Sequence, residues 1–347
     1  MKRFVYSFLC GVISILSLIA GYNYITDTSG IYNTDFSVRR NEPDQHFVKI
    51  RYLLGYPNKY NAYCFGSSRV GNIDLQQIHD GNRYYNMTYS EGLPQEWFHD
   101  IKMMLEHDVT ISEIMLGIDD FSFRIAPKTH ETQSLRVPYH ENNLRTYVSF
   151  LLHAPSRPDV VDEKGSIYDI YNSGRPLHSQ ADEFIEAHVD EHVNDSKFDL
   201  DENLLRKSKK RDSAYMAETI AAIQEIREIA DIKGIKLIVF VNPMNQKAYL
   251  QSNIDDFNEF KRQLADVTDY YDFSGLNEIT MNNYNYYEAS HYRPLVGDKM
   301  IEVMFREKNH RNEGFGAYVT KENVEQHIGV LKNDVDKYWE EKSRGQE

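Results

Sequence analysis

Short apolar runs alternate with longer stretches of helical periodicity along most of the chain. The runs of strand length are residues 61–65, 84–88, 111–116, 235–241 and 270–273. The segments with helical spacing begin at Pro94, Asp212, Ile254 and Leu295. Strands that alternate with helices predict an α/β fold with a doubly wound, mostly parallel sheet.

The amino terminus breaks this alternation with a single long apolar segment. Lys2 and Arg3 precede an uncharged run from Phe4 to Ile25, and the first acidic residue, Asp27, follows at once. The run is long enough to cross a hydrocarbon layer of about 30 Å as a helix. Basic residues before the span predict a cytoplasmic amino terminus and an extracytoplasmic body. A cleaved signal peptide with small residues at 17–21 is the alternative, and it gives the body the same location.

The remaining chain divides into four parts by its patterning. After the anchor or uncleaved signal at 1–25, residues 26–58 show no sustained period and are predicted to be a linker that packs on the domain. The α/β domain covers 59–310, and a helical tail covers 311–347. Within the domain, residues 122–210 carry five prolines and only short helical patches such as 144–152. We interpret this stretch as a largely helical or irregular insertion.

The charge composition excludes some classes of function and binding partner. The 347 residues include 39 Lys and Arg against 53 Asp and Glu, which gives a net charge of −14. No basic cluster exceeds the short run at 206–211, so the chain is not expected to bind nucleic acid. Since the anchor takes up only two of the charges, the acidic balance belongs to the translocated body. It disfavours polyanionic or anionic-lipid partners and favours neutral glycans or a local cationic site.

Three loops hold residues that suggest chemistry. They are Gly66-Ser67-Ser68-Arg69 after the first strand, Gly117-Ile118-Asp119-Asp120 after the third, and Glu288-Ala289-Ser290-His291 before the last predicted helix. Reactive groups in parallel α/β sheets collect beyond the carboxyl ends of the strands. The order of the loops therefore predicts that they meet at one edge of the sheet.

These loops resemble the conserved blocks of the SGNH (GDSL-like) hydrolase superfamily. The likeness is greatest to its membrane-associated bacterial branch, which includes alginate O-acetylation proteins and the D-alanyl transfer protein of teichoic acids. In that family the first block carries a serine nucleophile, and a late D-x-x-H block carries the carboxylate and base. The resemblance spans about residues 61–305 and implies a three-layer, flavodoxin-like fold. It aligns Ser68 with the nucleophile, His291 with the base and Glu288 with the aspartate.

The chemistry explains why these residue types are needed together. A serine hydroxyl needs an imidazole to remove its proton, and a carboxylate must orient that imidazole. The resemblance implies the backbone N–H groups of Ser68 and Gly92 as oxyanion donors, since Gly92 is the best match to the glycine of the family's second block. Asp119 lies where the family has an asparagine. An ionised Asp119 only accepts hydrogen bonds. Three alternatives follow. The oxyanion hole, the set of donors that binds the oxyanion, relies on backbone groups alone; or the protein is a slow or specialised transferase; or catalysis is lost.

The resemblance implies a membrane-anchored esterase or O-acyltransferase that carries acyl groups, with acetyl favoured, through an acyl-serine. Its expected partners are a cell-surface or exported glycan, an acyl donor and a membrane-bound O-acyltransferase, with no cofactor. A non-catalytic scaffold that binds glycan or partners an acyltransferase is the main alternative.

Two of these features have other interpretations. Asp119 is equally well explained as a helix cap or as a partner of Arg69 or Arg124. His188 and His192 form an H-x-x-E-H pattern, which gives a minor alternative, a zinc-dependent peptidase. No third ligand stands out downstream, and an acidic solvated helix explains the pattern as well.

Overall fold

The computed structural model describes residues 2–33, 40–41, 43–133, 135–139, 143–154, 167–201, 213–305 and 314–344. The predicted helix start at Asp212 and the basic run at 206–211 lie outside these ranges, as do parts of the predicted insertion and tail. The α-helices of the described residues are α1 Lys2–Thr26, α2 Gln45–Gly55, α3 Pro94–Glu106, α4 Leu144–Leu152, α5 Ser179–Ala187, α6 Val189–Val193, α7 Met216–Lys233, α8 Gln246–Gln251, α9 Ile254–Val267, α10 Pro294–Phe305 and α11 Val324–Arg344. The strands are β1 Arg40–Asn41, β2 Ala62–Gly66, β3 Tyr84–Asn86, β4 Glu113–Ile118, β5 Ile167–Tyr168, β6 Pro176–Leu177, β7 Lys236–Val241, β8 Tyr270–Asp272 and β9 Ala317–Val319.

A six-stranded, mostly parallel sheet organises the body. Its strand order is β3-β2-β4-β7-β8-β9, and only β9 runs antiparallel to its neighbour. The predicted α/β class with a mostly parallel sheet is therefore confirmed. A small antiparallel sheet, β1-β5-β6, lies within the linker and insertion regions.

Alternate side chains of the sheet enter two separate apolar clusters. Phe65, Leu116 and Val239 belong to one cluster, which α2, α3, α7 and α9 complete. Cys64 and Phe240 belong to the other, which α10 completes. Successive strand residues point to opposite faces, so each cluster lies on a different face of the sheet. Since helices complete both clusters, both faces of the sheet are covered by helices. This explains why the strand runs are almost continuously apolar.

Helix α2 differs from the prediction for its region. The predicted linker at 26–58 contains this helix, which is capped by Asp44 and buries Phe47, Tyr52 and Leu53 in the core. Its polar residues His46 and Lys49 are also buried. They interrupt the apolar periodicity by which a helix is recognised in a sequence. For this reason the sequence analysis predicts a linker where the structure has a core helix.

Strand register brings the chemically suggestive loops to one edge. β2 aligns with β4 at Gly66 and Gly117, and β4 aligns with β7 at Ile118 and Val241. The residues that follow these positions leave the sheet at the same carboxyl edge. The loop between β8 and α10 supplies the remaining residues of the site.

Candidate active site

The two serines after β2 lie in different environments. Ser67 is buried and caps a short 3₁₀ helix at Ser68–Asn72, and its Oγ accepts a hydrogen bond from Arg69 N at 3.3 Å. Ser68 is only half-buried. The turn is tight at Gly66, where a Cβ would overlap the side chain of Val70. Local turn chemistry therefore uses Ser67 and leaves Ser68 facing outward.

Ser68 meets the two residues predicted to activate it. Ser68 Oγ lies 2.8 Å from His291 Nε2, although the two residues are 223 positions apart in the chain. On the other side of the ring, His291 Nδ1 is hydrogen-bonded to Glu288 Oε1. The structure thus brings together the predicted nucleophile, base and carboxylate in one hydrogen-bonded chain.

The loop that carries Glu288 and His291 is held by its own backbone. Tyr286 and Tyr292 form an antiparallel bridge, and Tyr287 N donates to His291 O at 2.9 Å. Glu288 Oε2 accepts a hydrogen bond from Ser290 N at 2.8 Å. Both carboxylate oxygens are therefore engaged, so the orientation of the imidazole is fixed before any substrate arrives.

Electrostatics keep Glu288 ionised. Burial alone would raise the pKa of Glu288, but the hydrogen bond and charge of His291 and the Ser290 N–H hold that pKa below its usual value. The Glu288 side chain is 43% exposed and that of His291 is 38% exposed. An ionised carboxylate next to an accessible imidazole is the arrangement that supports general-base chemistry.

The backbone N–H groups expected to bind an oxyanion differ in availability. Among the described residues, the Ser68 N–H makes no hydrogen bond to another group. The Gly92 N–H instead donates to Tyr89 O at 3.2 Å. A Cβ at Gly92 would lie 2.5 Å from Gly66 O. Close packing against the nucleophile loop accounts for Gly92, and its role as an oxyanion donor stays a prediction.

Asp119 is buried and paired with Arg69. Arg69 Nη1 lies 2.8 Å from Asp119 Oδ1 and 3.1 Å from Asp120 Oδ1, and Arg124 binds the other oxygen of Asp120. Burial raises the pKa of Asp119, and the charge of Arg69 opposes this rise. The alternative in which Asp119 binds Arg69 is therefore confirmed, while Arg124 binds Asp120.

Asn242, at the end of β7, joins the same network. Its Nδ2 lies 3.2 Å from Asp119 Oδ1, and its Oδ1 accepts a hydrogen bond from Tyr292 OH at 3.1 Å. Asn242 links the loops that carry Asp119 and His291. The sequence signal for Asn242 is the Asn-Pro dipeptide that ends the apolar run at 235–241, which predicts a turn at the strand end that lines the cleft.

Part of the insertion packs against the loop that carries Glu288 and His291. His178, between β6 and α5, lies with its ring 5.2 Å from the ring of Tyr287. Burial and the nearby charge of His291 lower the pKa of His178 to about 4. Asp182 accepts hydrogen bonds from Arg293 at 3.0 Å and Tyr287 at 2.8 Å. A neutral histidine and the start of α5 thus lie next to the triad loop, and no local motif predicts them.

The histidines of the H-x-x-E-H pattern have other partners. His188 Nδ1 bonds Phe184 O at 2.9 Å, and the buried His192 bonds Tyr286 O through Nε2 at 2.7 Å. A helix break at His188 separates α5 from α6. Within the part of the chain that the structure describes, no group of three potential ligands is placed to hold a metal ion. The pattern here packs the insertion against the triad loop.

Comparison with protein-family models finds no match, and neither does comparison with curated protein sequences.

Proposed function

We propose that the protein is a membrane-anchored SGNH-type serine esterase or O-acyltransferase. The observation that carries this proposal is the hydrogen-bonded chain of Ser68, His291 and Glu288 at the carboxyl edge of the sheet. The parallel strands follow the order 2-1-3-4-5 in chain numbering, which is the flavodoxin-like doubly wound order. This order supports the SGNH comparison but is shared by many unrelated enzymes.

The triad geometry supports a two-step acyl transfer. His291 Nε2 takes the hydroxyl proton as Ser68 Oγ bonds to the substrate carbonyl carbon, and the Ser68 N–H stabilises the oxyanion. The ester bond then breaks, His291 returns the proton to the leaving alcohol, and the acyl group remains on Ser68. Water or a second alcohol, deprotonated by His291, attacks this acyl-serine and regenerates the hydroxyl.

The acyl group and acceptor come from the family resemblance. Acetyl on a cell-surface glycan fits it best, with a membrane-bound O-acyltransferase as a further partner. The net charge of −14 favours a neutral glycan over a polyanion. His178 and Tyr287, which lie next to the triad, offer rings against which a sugar can pack.

Helix α1 supports the proposed location. It is 25 residues long, and its most apolar window is wholly exposed, as expected for a span or signal segment. With Lys2 and Arg3 at its start, the helix supports our proposal that the amino terminus is cytoplasmic and the catalytic domain extracytoplasmic.

Acetate release tests the proposed chemistry. The full chain in detergent is given p-nitrophenyl acetate, then an O-acetylated neutral oligosaccharide with and without an unacetylated acceptor. We expect acetate release by the wild type and by Ser290→Ala, whose backbone N–H is kept, but not by Ser68→Ala. Acetylated acceptor indicates a transferase, and free acetate indicates an esterase. Equal release by wild type and Ser68→Ala contradicts the proposal.

A second candidate is a non-catalytic scaffold of the same fold. It is favoured by two observations: Gly92 N–H is used by Tyr89 O, and Asp119 is used by Arg69. Such a scaffold binds glycan or a membrane acyltransferase without an acyl-serine. It predicts that glycan binding and cellular function survive in a folded Ser68→Ala/His291→Ala variant. Loss of cellular function with folding and binding intact eliminates this candidate.

A further inference from the structure

One face of helix α4 exposes a stripe of large apolar side chains. Leu144, Val148 and Leu152 are 74%, 41% and 43% exposed. They are four residues apart, so they share one face of the helix. Thr146 and Phe150 are buried on another face. A short surface helix with aligned exposed aliphatic residues is typical of a contact with an apolar medium.

Helix α4 is fixed to the far end of α1. Asn23 is the buried residue of α1, and its Nδ2 donates to Leu151 O at 2.9 Å and to His153 O at 3.0 Å. These carbonyls belong to the last turn of α4 and the residue after it, where intrahelical donors run out. The carboxyl end of α4 is therefore held against α1.

The length of α1 determines how far the contact between Asn23 and α4 lies from the cytoplasmic side of a bilayer. At 1.5 Å per residue, the segment from Phe4 to Asn23 covers about 30 Å, the thickness of the hydrocarbon layer. Tyr22 and Tyr24 are exposed on either side of Asn23, and tyrosines are enriched at membrane–water interfaces. Asn23 and the end of α4 thus lie at the level of the outer headgroups.

Aromatic packing ties α4 to the body as well. The Phe47 ring on α2 lies 5.6 Å from that of Tyr147 and 5.8 Å from that of Phe150. Since α2 is buried in the main core, α4 connects the core to α1. Movement of α4 relative to the membrane would move the whole domain.

We infer that α4 is an interfacial helix that inserts Leu144, Val148 and Leu152 into the outer leaflet beside α1. This inference rests on the proposed membrane anchor. The occupant of the stripe is a lipid surface, because α4 packs against α1, the proposed span, and is hydrogen-bonded to it at Asn23. Insertion is driven by apolar burial rather than by charge, since the body is acidic. The helix thereby fixes the distance of the catalytic edge from the membrane.

Depth-dependent quenching tests this inference on the full chain. In a Cys10→Ser background, which leaves the buried Cys64, single cysteines at Leu144, Val148 and Leu152 are labelled with an environment-sensitive fluorophore. The protein is reconstituted in phosphatidylcholine nanodiscs with or without brominated acyl chains. Ile13→Cys reports the span, Ser149→Cys the exposed polar side of α4, and Val330→Cys an exposed position on α11.

The expected pattern is strong quenching at positions 144, 148 and 152, several-fold above that at 330 and unchanged by high salt. Position 149 should be quenched less than its neighbour 148. If position 13 is quenched but the three α4 positions match position 330, the inference is overturned and the anchor stands. If neither position 13 nor the three α4 positions are quenched, the anchor proposal and the inference about α4 both fail. Circular dichroism of each labelled protein verifies that it is folded.

Discussion

This protein contains two pairs in which a histidine ring nitrogen is hydrogen-bonded to a carboxylate, and the two pairs differ in their exposure to solvent. His291 and Glu288 form one at the carboxyl edge of the sheet, where both side chains are partly exposed. His46 and Asp100 form the other in the core, with 2.8 Å between Nε2 and Oδ2 and almost no exposure. A histidine next to a carboxylate is therefore not sufficient to mark an active site.

The second ring nitrogen separates the two pairs. His291 presents Nε2 to the hydroxyl of Ser68, whereas Nδ1 of His46 is 3.2 Å from Arg136 O. The His46 ring also stacks on Tyr89 at 4.0 Å. Burial alone would lower the pKa of His46, but the carboxylates of Asp100 and Glu96 outweigh it and raise that pKa to about 9. His46 is thus a charged structural partner, while His291 is placed to exchange a proton.

The largest expected effect is on catalysis at the exposed pair. His291→Ala removes the base and should reduce ester hydrolysis by about 10⁴-fold or more. Since its side chain is partly exposed, the free energy of unfolding should change by less than about 1 kcal/mol. Hydrolysis of p-nitrophenyl acetate and urea denaturation measure the two quantities. Full activity in a folded His291→Ala protein would contradict the assignment.

The core pair should show the opposite response. Asp100→Ala leaves His46 charged and buried without its partner, which should lower the free energy of unfolding by about 3–5 kcal/mol. Glu288→Ala is the matched change at the exposed pair and should cost under about 1 kcal/mol. Urea denaturation of both variants tests the contrast. Equal losses would show that the two pairs are not structurally distinct.

The pH dependence of stability sharpens the same contrast. Because the pKa of His46 is raised to about 9, its stabilisation is complete below pH 6.5 and is lost as the pH rises through 9. The loss should approach about 3 kcal/mol. It is measured as the difference in unfolding free energy between wild type and the neutral His46→Gln/Asp100→Asn variant. A difference that stays constant from pH 6 to pH 10 would rule out a charged His46.

The smallest effect concerns the buried Asp119. Asp119→Asn introduces the amide that the SGNH family carries, but it removes one of the two carboxylates next to Arg69. We expect no gain in esterase rate and a loss of about 1–3 kcal/mol in the free energy of unfolding. The same two assays apply, with Asp120→Asn as the control. A clear rise in rate at unchanged stability would mean that Asp119 weakens an oxyanion site.

Local patterns were sufficient for much of the fold. The predicted strand at 235–241 lies within one residue of the observed Lys236–Val241, and the helix predicted to begin at Ile254 is observed at Ile254–Val267. Apolar runs and helical period identify such elements because one of their faces packs in the core. Helix α2 was missed since His46 and Lys49 are buried polar residues. Their partners, Asp100 and Thr88, lie 54 and 39 positions away, and no local window contains both members of such a pair.

The candidate site likewise contains residues that local motifs predict and contacts that they do not. Ser68, Glu288 and His291 were predicted because short motifs follow or precede regular elements. The ion pair of Asp182 and Arg293, which joins α5 to the residues after His291, is 111 positions apart and has no motif. The engagement of Gly92 N–H by Tyr89 O also depends on how one turn closes, which residue types alone do not determine. Local motifs are therefore sufficient to predict that Ser68, Glu288 and His291 meet, but not which residues surround them.

Covalent labelling of Ser68 tests the central claim most directly. The full chain is incubated with a serine-reactive fluorophosphonate, and the adduct is located by mass spectrometry of its peptides. We predict a single adduct on Ser68 in the wild type and in Ser67→Ala, whose lost hydroxyl caps a turn and hydrogen-bonds to Asp119, and no adduct in Ser68→Ala or His291→Ala. Labelling of Ser68→Ala to the same extent as the wild type, or no labelling of the folded wild type, would contradict the account.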